Sequence, residues 1–253
     1  MDVTFLEQAG AEAVAYLVNE DEIMSAAVKA ADDTSQGAIS KAIEYARFSG
    51  KPGQVVELIA PQGLDAKRVL IAGLGKADKV DARSWEKAGA GLVKRLQTSG
   101  ALGLDIVGAT DADAAARVGQ GARLAAYRFD GYRTTLKDEQ KPTLTSVGVV
   151  VTDTDAAKAA FAPLNAATDG AYEARDLVNE PPNVLHPESY ADRIVKLSEL
   201  GLEIEVLGEA DMEKLGMHSM LGVGQGSVKE SRLVVIKWMG GADKEAAPLA
   251  LVG

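Results

Sequence analysis

The fold class is indicated most directly by residues 68–76, which run Arg68-Val69-Leu70-Ile71-Ala72-Gly73-Leu74-Gly75-Lys76. The apolar segment Arg68–Ala72 predicts a strand, and the glycines that follow predict its end. A helix is predicted next, over Ala82–Gln97, with Asp81 at its N-cap. Its apolar residues form one continuous stripe made of Trp85, Ala88, Gly89, Leu92, Val93 and Leu96. A strand that leads into such a helix is the building unit of an α/β fold.

Strand and helix patterns alternate on both sides of this stretch. Strands are predicted at Ala13–Val18, Gln54–Ala60, Leu102–Val107, Val147–Val151, Glu203–Leu207, Arg232–Trp238 and Leu249–Val252. Further helices are predicted at Gln36–Arg47, Ala112–Tyr127, Asp155–Val178 and Ala210–Leu215, and from Pro187 onward. Pro163 predicts a kink or a restart in the long helix, and Pro181-Pro182 predict its end near Asn179. Residues 128–142 are predicted to form a loop, and a second loop is predicted to start at Gly240-Gly241. The segment Gly216–Ser227 is rich in glycine.

Composition limits the possible functions of the chain. Its 253 residues contain no cysteine, which excludes disulfides and thiolate metal sites. The formal net charge is −10, and an acidic chain repels phosphate backbones, so nucleic-acid binding is not expected. No apolar run is long enough for a membrane span, and Met1–Phe5 lacks the basic start of a signal peptide. We therefore expect a cytoplasmic protein that does not associate with membranes.

Basic residues cluster locally in this acidic chain, at Arg117, Arg123, Arg128, Arg133, Lys137 and Lys141. They fall on the predicted helix Ala112–Tyr127 and in the loop after it. The favoured interpretation is a solvated helix face and loop, and a basic contact surface is the alternative.

Two glycine motifs invite a ligand-binding interpretation. Gly73-Leu74-Gly75-Lys76 follows a strand and precedes a helix, but Asp78 stands where a dinucleotide fingerprint needs its third glycine. A plain tight turn is therefore predicted there. Residues 222–227 have glycines at alternate positions, which suit either a substrate-contacting loop or a turn packed under another element. The packed turn is favoured.

Metal ligands and catalytic groups are not evident in the sequence. The two histidines, His186 and His218, are 32 residues apart and lack paired metal-ligand spacing. His186 is predicted to cap a helix and His218 to lie on a helix surface. Solvated faces explain the abundant carboxylates, which include Glu203, Glu205, Glu209, Asp211 and Glu213. No Gly-x-Ser-x-Gly elbow is present, so no catalytic, cofactor-binding or metal residue is assigned.

Three segments carry a resemblance to a known family. The first is Val69–Lys76 with the helix after Asp81. The second is Ala174-Arg175-Asp176-Leu177-Val178-Asn179-Glu180-Pro181-Pro182-Asn183, followed by Pro187-Glu188. The third is Leu221-Gly222-Val223-Gly224-Gln225-Gly226-Ser227, followed by Arg232-Leu233-Val234 and the final Leu249–Gly253. Together they resemble the leucyl, or cytosol, aminopeptidases over essentially the whole chain. His186 departs from the family, in which threonine usually caps this helix.

The resemblance implies an N-terminal macro-like domain, a mixed sheet flanked by helices, over residues 1–165. Residues 166–253 would then hold the connecting helix and the start of an incomplete α/β/α exopeptidase domain. It also implies a homohexameric aminopeptidase that removes leucine and other N-terminal residues from peptides with two divalent ions, manganese or zinc. The family's ligands lie beyond the position that matches Gly253. We therefore expect the 253-residue chain to bind no such metal pair and to be inactive.

A second function stays open from the sequence. The first domain also resembles macro-type folds, which implies a non-catalytic binding or regulatory module that contacts nucleotide or nucleic acid.

Overall fold

The structure, a computed structural model, describes residues 1–243 and 246–253. The described residues form two compact units, Met1–Asp176 and Leu177–Gly253. The first unit is a mixed sheet flanked by helices, which confirms the predicted α/β class. The predicted domain boundary near residue 165 lies within the helix that runs up to the second unit, and it stays a prediction.

Six strands form the sheet of the first unit: β1 (Asp2–Leu6), β2 (Ala13–Asn19), β3 (Val55–Ile59), β4 (Arg68–Gly75), β5 (Gly103–Val107) and β6 (Ser146–Val150). Their order across the sheet is β1-β6-β5-β2-β4-β3. All neighbouring strands are parallel except β3 and β4, which are antiparallel. The central strands β2 and β4 start in register, with Ala13 opposite Arg68.

Five helices accompany this sheet: α1 (Ala26–Thr34), α2 (Ala38–Tyr45), α3 (Ala82–Leu96), α4 (Ala112–Ala126) and α5 (Thr154–Asn179). The predicted N-cap of α3 is confirmed, because Asp81 accepts a hydrogen bond of 2.9 Å from the Ser84 amide. In the part of the chain that the structure describes, no helix is both long enough and apolar enough to cross a bilayer.

Strand β4 contributes to both faces of the core, because successive side chains of a strand point in opposite directions. Val69 and Ile71 pack with the cluster beneath α1 and α2. Leu70 and Ala72 pack with the cluster beneath α3 and α4. Helices on both faces therefore bury every residue of this strand after Arg68, as its near-continuous apolar sequence requires.

Helices α3 and α4 approach each other closely at two glycines. A Cβ atom on Gly89 would overlap the main chain of Val118, and one on Gly121 would overlap the main chain of Glu86. The absence of side chains at these two positions allows the backbones to come together.

The C-terminal half of α5 is tied to α4 by aromatic and charged side chains. The Tyr127 hydroxyl donates a hydrogen bond of 2.8 Å to Asp176. The Arg175 guanidinium lies 5.2 Å from the centroid of the Tyr127 ring, and Tyr172 donates to the carbonyl of Arg123. These contacts explain why the first unit extends as far as Asp176.

The second unit contains α6 (Pro187–Val195), β7 (Glu203–Leu207), α7 (Glu209–Lys214), α8 (His218–Gly224) and β8 (Leu233–Lys237). Strands β7 and β8 form an antiparallel pair, with Glu203 opposite Lys237. Among its described residues the buried apolar side chains are those of Ala191, Ile194 and Met212.

The predicted strand at Leu249–Val252 is wrong. These residues adopt no regular structure, and Leu249 is 86% exposed. A strand needs a hydrogen-bonding partner, and no described residue pairs with this segment. The predicted loop before it includes residues 244 and 245, which lie outside the described residues.

Other differences concern elements that sequence patterns did not indicate. Strand β1 and helix α1 were not predicted, and β1 owes its place to parallel pairing with β6. Helix α8 occupies much of the glycine-rich segment 216–227, for which only a helix around His218 was expected. Helix α5 passes through Pro163 without a restart, and β4 includes Gly73–Gly75, which were predicted to lie after its end.

Candidate functional site

The second unit begins with a proline turn that directs the chain into α6. The helix α5 ends at Asn179, as the prolines predict. The Pro181 carbonyl accepts a hydrogen bond of 2.9 Å from the Val184 amide. Glu180, whose side chain is 11% exposed, accepts a hydrogen bond of 2.8 Å from Arg193. This charge-assisted contact holds the segment before the prolines against α6.

The two histidines lie on different helices and do not form a site together. His186 occupies the N-cap of α6, as predicted, and its amide donates a hydrogen bond of 3.0 Å to the Ser189 hydroxyl. Its imidazole does not complete the cap, because the buried Nδ1 atom has no hydrogen-bond partner among the described residues. His218 is the exposed first residue of α8.

Three of the carboxylates singled out in the second unit have structural partners. Glu203 accepts a hydrogen bond of 3.0 Å from Lys237 across the β7–β8 pair, and this contact raises the pKa of the Lys237 ammonium. Glu209 accepts a hydrogen bond of 2.8 Å from the Ser231 amide. Asp211 lies 3.5 Å from Lys214 on the same helix. These contacts orient the three groups within the fold, and the described residues contain no group of three or more acidic side chains placed to hold an ion.

The glycine-rich segment 222–227 is partly helical, because α8 extends to Gly224. A Cβ atom on Gly224 would overlap the Ser231 hydroxyl, whereas Gly222 and Gly226 face open space. Only Gly224 therefore matches the predicted packed position.

The glycines of Gly73–Lys76 lie against other parts of the chain on the side where a Cβ atom would stand. The Gly75 amide donates a hydrogen bond of 2.9 Å to the Gly50 carbonyl, and a Cβ atom on Gly73 would overlap Gly50. Main chain thus fills this position. The carboxylate of Asp81 stands nearby at the start of α3. Hydrogen bonds from the Ser84 hydroxyl and amide lower the pKa of Asp81, which favours the charged form.

Most of the basic residues singled out in the sequence pair with carboxylates. This pairing favours the interpretation of a solvated helix face and loop, since it neutralises the charges that a basic contact surface would need. The pairs are Arg117–Glu86, Arg123–Asp169, Arg128–Asp130, Arg133–Asp130 and Lys141–Asp138.

A cleft of about 380 Å³ lies between α3 and the edge strand β3. No sequence motif marks it. The signal that could have found it is the spacing of Lys87, Lys94 and Arg95 along one face of α3. The lining residues are Gly53, Gln54, Val55, Ala72, Gly73, Lys87, Ala88, Gly91, Lys94 and Arg95.

The donor groups needed for a metal pair do not converge anywhere in the described part of the chain. Residues 1–243 and 246–253 contain no group of three or more histidine, aspartate or glutamate side chains placed to hold an ion. The described residues therefore do not fit a two-metal centre.

Two family profiles match the chain one after the other. The profile of the cytosol aminopeptidase N-terminal domain matches residues 13–136, and that of the catalytic domain matches residues 172–253. The chain belongs to the cytosol aminopeptidase family. The catalytic-domain match begins within α5 and includes the whole second unit. The resemblance inferred from the sequence is confirmed.

Bacterial relatives match nearly the whole chain but only part of their own length. A Probable cytosol aminopeptidase of Caulobacter vibrioides is 48% identical over 97% of this chain and 50% of the relative. A Probable cytosol aminopeptidase of Rhizobium etli is 43% identical over 86% of this chain and 45% of the relative. The chain thus spans about half the length of the curated relatives it matches.

Two solved structures share the fold of this chain over about half of their own length. A tomato leucine aminopeptidase mutant superimposes with a TM-score of 0.82 at 19% identity, over 92% of this chain and 50% of that one. The bottromycin maturation enzyme BotP in complex with Mn has a TM-score of 0.71 at 29% identity, over 90% of this chain and 45% of that one. Both likenesses extend across the two units.

Proposed function

We propose that the protein is a metal-dependent aminopeptidase that removes N-terminal residues, leucine among them, from peptides. The observation that carries this proposal is the serial match of residues 13–136 and 172–253 to the two domains of one peptidase family. A relative of known structure is in complex with Mn, which supports a divalent metal cofactor. We include two manganese or zinc ions, a homohexamer and a cytoplasmic location in the proposal.

The residues that hold these ions are proposed to lie outside the 253 residues. Two observations support this. The described residues bring together no group of metal donors, and the relatives are about twice as long as the matched region. Within this proposal, the first unit is the family's N-terminal domain. The second unit is the opening part of the catalytic domain.

The alternative of a nucleic-acid-binding module has less support. The basic residues of α4 and the loop after it pair with neighbouring carboxylates, and the chain carries a net charge of −10. Both features weaken attraction to a phosphate backbone.

A chimera tests the proposal directly. Residue 253 would be followed by the C-terminal half of the Caulobacter vibrioides relative, which is 48% identical to this chain over the shared region. We expect the chimera to hydrolyse leucine p-nitroanilide in the presence of manganese or zinc, and to lose activity on chelation. The 253-residue chain alone should show no metal-dependent turnover.

Circular dichroism and size-exclusion chromatography provide the control for folding. A folded chimera without activity toward any leucine amide or peptide would contradict the proposed aminopeptidase. Metal-dependent turnover by the purified 253-residue chain would contradict the proposed position of the ligands.

A further inference from the structure

The cleft between α3 and β3 is an open groove with the volume of a small-molecule site, and its wall residues Lys87 and Lys94 are exposed. Its volume of about 380 Å³ falls in the lower part of the range common for ligand pockets. Val55 and Ala72 pair across β3 and β4 and provide an apolar floor. The wall is the face of α3 that carries Lys87, Gly91 and Lys94.

Gly91 is not required by packing. A Cβ atom at Gly91 would meet nothing within 4 Å, whereas a Cβ atom at Gly89, two residues earlier, would overlap Val118. Glycine inside a helix lowers its stability relative to alanine, so Gly91 destabilises α3 without a packing contact that requires it. Its position on the cleft wall keeps that part of the wall free of any side chain.

The charge at the cleft is positive in a chain that is acidic as a whole. Among the described residues, neither Lys87 nor Lys94 makes an ion pair. Arg95 is held at one end of the cleft by a contact of 2.8 Å with Glu57. Lys87 and Lys94 are seven residues apart, which places them about 10 Å apart along the helix axis, on either side of Gly91.

We propose that this cleft binds a small polyanion of the organic phosphate or polycarboxylate class. The anionic groups contact Lys87 and Lys94, and the body of the ligand lies against Gly91 and the apolar floor. The site belongs to the first unit alone and does not depend on the aminopeptidase activity.

Titration of the 253-residue chain with pyrophosphate, ATP and citrate tests the proposal. Binding is measured by calorimetry and by amide NMR shifts at Gly53, Gln54 and Gly91. We expect saturable one-to-one binding by at least one probe, weakened by added salt. Binding of pyrophosphate or ATP without citrate identifies a phosphate ligand, and the reverse result identifies a carboxylate ligand.

Variants separate a built site from general charge attraction. The double variant Lys87→Ala/Lys94→Ala should weaken binding about ten-fold, because two exposed charge contacts are lost. Gly91→Leu should weaken it at least as much by filling the wall. The control Lys29→Ala/Lys41→Ala removes the same charge from exposed positions on α1 and α2 and should leave binding unchanged.

Three results would overturn the site: no saturable binding of any probe, an equal loss in the control variant, or unchanged binding by a folded Gly91→Leu protein.

Discussion

The two units differ in how many of their apolar side chains are buried. In the first unit Leu70, Leu104 and Ile106 are fully buried within a six-stranded sheet covered by helices on both faces. In the second unit Trp238 is 67% exposed and Leu249 is 86% exposed. The second unit has apolar strand sequence comparable to that of the first, but very few of its side chains are buried.

The difference lies in the number of partners that each strand has. Strand β2 has β4 on one side and β5 on the other, whereas β7 and β8 pair only with each other in the described residues. An isolated two-stranded pair is marginally stable in water. Apolar strand sequence is therefore insufficient for burial, which also needs neighbouring elements on both edges and both faces.

Hydrogen exchange should show the largest contrast between the units. We expect the amides of Val234–Ile236 in β8 to open at a free-energy cost about 5 kcal/mol lower than those of Leu70–Ala72 in β4. The reason is that β8 pairs with β7 alone among the described residues and none of its residues is fully buried. Mass spectrometry or NMR of a verified monomer provides the measurement. Equal, strong protection of both segments would show that the second unit is as stable as the first.

The next largest effect is expected from replacing one leucine in each unit by alanine and comparing the two changes in the free energy of unfolding. Leu104→Ala should lower the free energy of unfolding by about 2–5 kcal/mol, because Leu104 is completely buried in the sheet. Leu249→Ala should change it by less than about 0.5 kcal/mol, because that side chain is exposed.

Urea unfolding followed by far-UV circular dichroism measures both changes, because both units contain helices and strands that contribute to the signal. A similar loss of stability in both variants would mean that Leu249 has a packing partner in solution.

Replacing each of two glycines of α3 by alanine should change the free energy of unfolding in opposite directions. Gly89→Ala should destabilise the first unit by about 1–3 kcal/mol, because the new methyl group would overlap the main chain of Val118. Gly91→Ala should stabilise it by about 0.5–1 kcal/mol through helix propensity, since the methyl group meets no neighbour. Thermal unfolding measures both values. Destabilisation by Gly91→Ala would show that another part of the protein contacts Gly91 in solution and fills the space beside it.

Glu57 should make a small contribution to the stability of the first unit that depends on pH. Burial alone raises the pKa of its carboxyl, but hydrogen bonds and charge from Arg95 and Arg68 outweigh this and bring the pKa below its ordinary value of 4.5. The carboxylate therefore stabilises the fold above about pH 4.5, and this contribution is lost as the pH falls through the lower folded pKa.

Comparing the melting temperatures of the native chain and Glu57→Gln between pH 3 and pH 7 measures this contribution. The two curves should separate above pH 4.5 and converge at acid pH. The exposed Glu139→Gln serves as the control, and it should follow the native curve throughout. Parallel curves for Glu57→Gln and the native chain would contradict a role for this ion pair.

Local chemistry made much of the fold predictable from the sequence. The apolar stripe of α3, the cap at Asp81 and the stop before Pro181 follow from helix periodicity, side-chain hydrogen bonding and the geometry of proline. The segment Ala174–Asn183, together with Val69–Lys76 and Leu221–Ser227, indicated the family.

Only the tertiary structure decided which of these segments become buried and which spaces stay open. Strand β1 exists because β6 offers it a parallel edge, and Leu249–Val252 has the apolar sequence of a strand without such an edge. Helix periodicity places Gly89 in the apolar stripe of α3, but only the structure shows that Gly89 packs against α4 and that Gly91 lines a cleft. The sequence by itself determined the α/β pattern and the family, because both depend on residues near one another along the chain. Partners and cavities depend on residues far apart, so only their assembly in three dimensions sets them.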